Sequence, residues 1–170
     1  MTSPTHQRAG RATPHAGARE LRSILDAVER EAADRGAATI EAEHLLLALA
    51  GNPASEGGAF LIAHGLDRAA LETALAAERR HSLDSVGAPH IPDTQLAATP
   101  RRRRPRWGAS AKDALDRGMH VGRGHQGAST LTLVVGAFVA DLGTVPRMLS
   151  LAGVDRHQLL GRALSGVTQG

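Results

Sequence analysis

Gly65-Leu66-Asp67-Arg68-Ala69-Ala70-Leu71 and Gly153-Val154-Asp155-Arg156-His157-Gln158-Leu159 stand 88 residues apart and carry the same instructions. In each, a glycine stops one helix, an apolar residue follows, and an aspartate caps the next helix by accepting hydrogen bonds from its first-turn N–H groups. Leu66 with Leu71, and Val154 with Leu159, have the hydrophobic-staple spacing that fixes how the chain enters that helix. Carried upstream without a gap, the same shift places Gly36, Leu45 and Leu61 on Gly124, Leu133 and Leu149. Seven identities in 36 positions would be modest evidence if scattered. These fall at helix stops, caps and core positions, where structure constrains residue choice most, so the chain reads as two copies of one unit.

Working outward in the first copy, Leu21, Ile24, Leu25, Val28 and Ala32 form a helical stripe that begins near Ala18 and ends near Gly36. Ala42, Leu45, Leu46 and Leu49 form a second stripe, with Glu41 and Glu43 in its first turn and Asn52-Pro53 as its stop. A short helix is predicted from about Gly58 to His64, and the fourth starts at the Asp67 cap. The unit is helix, helix, short helix, helix. In the second copy the first helix carries Ala111, Ala114, Leu115 and Met119, but Gly118, Gly122 and Gly124 lower its propensity and predict a shortened or kinked element.

The expected organisation is a tail over residues 1–17, a first unit over 18–79, a linker over 80–106, a second unit over 107–165 and a short tail over 166–170. The linker carries Pro89, Pro92, Pro100 and Pro105, with five arginines in its last six residues. Phe60, Trp107 and Phe138 are the only aromatics, so the core must be built from Leu, Ala, Val and Ile. That composition favours an all-α fold of about eight helices and no β-sheet.

The absence of cysteine excludes disulfides, thiolate metal sites and cysteine nucleophiles. The longest apolar run, Leu131 to Ala140, is interrupted by Thr132 and Gly136 and falls short of the roughly 20 residues a bilayer requires. Met1 to Gly17 has no apolar stretch of a signal peptide. A soluble, cytoplasmic protein without a membrane partner is expected.

Ile40-Glu41-Ala42-Glu43-His44-Leu45-Leu46-Leu47-Ala48-Leu49 resembles the signature of the Clp N-terminal (Clp R) repeats, and Gly36 and Gly124-His125 resemble the glycine turn that precedes it. The resemblance runs from about Ala18 to Leu164. It implies two four-helix repeats related by a pseudo-twofold axis, as in the ClpA- and ClpC-type N-domains, here without their AAA+ ATPase modules. It also implies a non-catalytic module that binds Clp ATPase or protease components, adaptors or substrate peptides, or that sequesters a cyclic-peptide antibiotic. In ClpC-like domains each repeat is understood to give its signature glutamate to a phosphoarginine site. Glu43 keeps that position, beside Glu41 and Ala42, whereas in the second copy Leu131 and Thr132 replace the glutamate and histidine. The ligand-binding candidates are therefore Glu43, His44, Glu41, Leu131 and Thr132, with phosphoarginine binding expected to be weak or absent at the second copy.

No enzyme is expected. A phosphate-cradling loop needs a lysine after its last glycine, and Lys112, the sole lysine, sits between Ala111 and Asp113. Nine histidines include no His-Glu-x-x-His and no pair four residues apart, so neither a metal nor a cofactor is expected. Glu43 also fits a plainer role, as a first-turn carboxylate stabilising its own helix by about 0.3–1 kcal/mol. The rival reading is a nucleic-acid-associated protein whose Arg101, Arg102, Arg103, Arg104 and Arg106 contact phosphates while Trp107 stacks on a base, or on a lipid headgroup if the phosphates are those of a lipid. A solvated linker explains the same arginines without a partner.

Overall fold

The structure, a computed structural model, describes residues 14–87 and 104–169. The chain runs α1 (Pro14–Asp34), β1 (Thr39–Ile40), α2 (Ala42–Ala50), α3 (Glu56–Ala63), α4 (Arg68–Ser85), β2 (Arg106–Trp107), α5 (Ala109–Arg123), α6 (Thr130–Phe138), α7 (Thr144–Leu151) and α8 (Arg156–Gln169). The fold is all-α with eight helices among the described residues, as the composition and stripes require. Positions 1–13 and 88–103, which held most of the expected tail and linker, lie outside the described residues.

The internal repeat is written in the element bounds. Helices α2 and α6 have 9 residues each, α3 and α7 have 8 each. Helices α6, α7 and α8 each begin 88 residues after α2, α3 and α4. The motif that set this register has one geometry in both copies. Gly65 and Gly153 take φ of 74° and 71°, the left-handed conformation a glycine reaches without a Cβ penalty. Leu66 N donates to Leu61 O and Val154 N to Leu149 O, both at 2.9 Å. Asp67 Oδ1 accepts from Ala70 N at 2.8 Å, and Asp155 Oδ1 from Gln158 N at 3.0 Å. Leu45, Leu61 and Leu71 are buried with Leu133, Leu149 and Leu159 in one core.

The first helices of the copies obey a different register. The buried face of α1 is Ile24, Val28 and Ala32; that of α5 includes Ala114, Gly118 and Gly122, 90 residues on. The connection from Gly122 to Thr130 is two residues shorter than that from Ala32 to Ala42, and its positive-φ glycine is Gly127 (φ 110°), while Gly124 is right-handed at φ −77°. Gly36 (φ 64°) therefore does not match Gly124 in conformation, and the bond from Ala37 N to Ala32 O at 2.9 Å recurs 90 residues on as Gly127 N to Gly122 O at 3.0 Å.

Helix α5 has 15 residues against the 21 of α1, so it is the shortened one of the expected alternatives, and it runs as uninterrupted α-helix. Its glycines let α6 approach. A Cβ at Gly118 would stand 2.6 Å from the Thr132 carbonyl oxygen, and one at Gly136 would stand 2.0 Å from that of Ala114. The propensity lost at these glycines is offset by backbone-close packing between α5 and α6.

Three expected boundaries shift. Helix α1 begins at Pro14, inside the segment read as a tail, with proline at a first-turn position where its missing N–H costs nothing. Helix α4 continues to Ser85, so residues 80–85 belong to it and not to the linker; the strong helix formers just before them, Ala76, Ala77, Glu78 and Arg79, propagate the helix into a segment without an apolar stripe. Helix α8 runs to Gln169, with Val167 packed on the core, which removes the expected tail at 166–169.

A two-residue parallel ladder also forms where no sheet was expected, pairing Thr39 with Arg106 and Ile40 with Trp107. Arg106 N donates to Ala38 O at 3.1 Å and Gly108 N to Ile40 O at 2.8 Å, so the chain entering α5 is pinned beside the fully buried Ile40.

Candidate functional site

The signature residues sit at the N-termini of α2 and α6, and both termini are closed in the same way. Glu41 N donates to His44 Nδ1 at 3.0 Å, and at the equivalent positions Ser129 N donates to Thr132 Oγ1 at 3.1 Å. In the second copy Ser129 Oγ returns the bond, accepting from Thr132 N at 3.3 Å. These side chains satisfy N–H groups that a helix start leaves without intrahelical partners. His44 is buried, and burial pushes its pKa below the ordinary 6.5, in keeping with an Nδ1 that must be unprotonated to accept. Thr132 is fully buried as well. The histidine and the threonine that replaces it thus share a capping role.

Glu41 is occupied by the second copy. Its Oε2 accepts from Ser110 Oγ at 2.5 Å, and Ser110 Oγ accepts from Ala42 N at 2.9 Å. Its carboxylate also lies against Gly108, the N-cap of α5, where a Cβ would stand 2.1 Å from Oε1. A carboxylate at the positive end of α5 stabilises that helix and joins its start to the start of α2.

Glu43 is half-buried, and its surroundings hold the residues that sequence reasoning missed. Burial pushes its carboxyl above the ordinary value; its own backbone N–H works against that, and the charges of Glu41 and Glu78 add to it. Glu78 on α4 is buried, accepting from Ser82 Oγ at 2.8 Å and from Arg147 Nε of α7 at 2.8 Å, with Arg147 Nη2 at 2.7 Å. A second carboxylate and a guanidinium are therefore already present beside Glu43. The equivalent Leu131 is 3% exposed and offers no surface to a ligand.

An apolar groove of about 380 Å³ lies between α4 and α7, walled by Leu66, Ala70, Ala74 and Ala77 on one side and Leu151 and Val154 on the other. Of the arginine run, Arg101 to Arg103 lie outside the described residues, and Arg104 and Arg106 are exposed. Trp107 is partly buried against the core, which removes part of its ring from any stacking partner. Among the described residues no group of three His, Asp or Glu side chains is placed to hold a metal ion, and no helix is long and apolar enough to cross a membrane.

This geometry defines an all-α protein of two like four-helix units whose capped helix starts face inward and whose apolar groove runs between α4 of one unit and α7 of the other. No family model and no curated protein matches the chain.

Proposed function

We propose that this chain is a non-catalytic protein- or peptide-binding module of the Clp chaperone–protease type, recognising substrates or adaptors or competing for them with a ClpC-type N-domain. The observation that carries the reading is the duplication: helix bounds, glycine stops, aspartate caps and inward-facing signature helices recur at one spacing, which is the architecture the Clp R resemblance implies. The residues of this chain supply no lysine-bearing phosphate loop, so the activity assigned to it is binding.

The groove between α4 and α7 is the proposed peptide-contacting surface, since it is apolar and joins the two units. Glu43 is not assigned an external cation, because Arg147 and Glu78 already stand beside it. Affinity capture from lysate tests the reading. Recovery of a Clp ATPase, its adaptor or its substrates is expected, with loss on Leu151→Glu, an exposed position in the groove. Capture of none of these, or capture indifferent to Leu151→Glu, would count against it.

A further inference from the structure

The 88-residue shift gives every residue of α2 and α3 and the first 14 residues of α4 an equivalent in α6, α7 and α8, so the surroundings of Glu43 can be compared position by position with those of Leu131. Glu43, Glu78 and Arg147 correspond to Leu131, Gly166 and Ala59. All three polar residues on one side are apolar or absent on the other. The exchange is coordinated: a Cβ on Gly166 would stand 2.9 Å from Leu131 Cδ2, so the leucine fills the volume that a longer side chain at 166 would need.

The packing is unequal in the same sense. Helix α4 lies against α7, whereas α8 packs on α6 and α7 and makes no comparable contact with α3. The ion pair also has a particular place in its seam. Glu78 follows Ala77 and stands one turn beyond Ala74, and Arg147 precedes Leu151 by one turn, so the pair closes one end of the α4–α7 groove.

We propose that Arg147 and Glu78 form a latch that joins the two units along α4 and α7 and sets the width of the groove between them, with no counterpart at the α3–α8 seam. The partners differ in a way suited to release. The Glu78 side chain is 7% exposed and that of Arg147 is 53% exposed. The arginine is the partner that can swing into water, while the glutamate left behind stays buried beside Glu43 without its cation, which makes the open state the costly one. Opening the latch therefore exposes the groove wall on α4 and α7.

Hydrogen–deuterium exchange on the whole chain tests this, with α3 and α8 as the internal reference. R147A should raise exchange in α4 and α7 by about tenfold or more, with much less change in α3 and α8. E78Q removes the buried charge and should have a smaller effect. The double variant E78Q/R147A should match E78Q within about twofold, because the arginine has nothing left to neutralise at 78. Should R147A not fold, the comparison of E78Q with E78Q/R147A still decides. A further loss of protection on removing Arg147 when position 78 is glutamine would overturn the latch. So would an R147A effect that is absent or equal at both seams.

Discussion

Gly136→Ala separates two physical effects that point in opposite directions. In a helix interior, alanine normally gains about 1 kcal/mol over glycine, because the unfolded glycine has more freedom to lose. At Gly136, in α6, the added Cβ would lie 2.0 Å from the Ala114 carbonyl oxygen and 2.7 Å from Gly118 N, both backbone atoms that no side-chain rotation can move. Ordinary contact needs about 3.5 Å, so α5 must withdraw by roughly 1–1.5 Å. That withdrawal would open gaps along the helix pair and cost about 3 kcal/mol. The net expectation is a loss of about 2 kcal/mol, or about 4–8 °C in Tm for a chain of this size. Gly161→Ala is the control. Gly161 is an exposed α8 residue with nothing within 4 Å of the Cβ position, so the same substitution should raise Tm by about 1–4 °C. Thermal and urea unfolding followed by Trp107 fluorescence reads both. If Gly136→Ala stabilises the protein as Gly161→Ala does, the close approach of α5 and α6 is wrong.

Leu131→Glu should not restore a signature carboxylate to the surface. It should cost about 3 kcal/mol or more at neutral pH, because position 131 is 3% exposed with Ala59 where the first copy has the Arg147 cation, and urea midpoints should recover in acid as the carboxyl protonates. His44→Ala should cost about 1–2 kcal/mol through the lost cap, and His44→Thr should lose less, since Thr132 fills the same role in α6. Three groups set the pH dependence. His44 has a lowered pKa, so it contributes stability that is lost as pH falls below about 6.5; Glu43, raised by burial, gains a proton in the same direction and opposes that loss. Glu31 is raised by burial but held below its ordinary 4.5 by hydrogen bonds from Arg68 and Arg35. Its contribution is complete above that value and disappears as acid takes pH through the folded pKa. Urea midpoints of wild type, His44→Thr and Glu31→Gln between pH 7 and pH 3 check the signs.

What could be read from the sequence was local. The Asp67 and Asp155 caps, the Gly65 and Gly153 stops and the Leu45 and Leu133 core positions depend on neighbours a few residues away, and each took the expected conformation. What depended on distant partners was not legible. Gly118 read as a weak helix former and Gly136 as a break in an apolar run until α5 and α6 were seen to meet at their backbones. Glu41 carried no sign of Ser110 or Gly108, which reach it through the β1–β2 ladder. Glu78 and Arg147 arrive beside Glu43 from α4 and α7, and only the asymmetry with Gly166 and Ala59 marked those positions in the sequence. The first-helix alignment failed for a definite reason, a path from Gly122 to Thr130 that is two residues shorter than the path from Ala32 to Ala42.

The most direct test of the proposed function is degradation of an unfolded protein substrate by a reconstituted ClpC-type ATPase and its protease, measured with increasing amounts of this chain. A saturable change in the degradation rate is expected, inhibition if the chain withholds substrates or adaptors and stimulation if it delivers them, with the effect reduced by Leu151→Glu in the α4–α7 groove. A rate that stays constant at a large molar excess of folded chain, together with no detectable binding to substrate, adaptor or ATPase, would contradict it.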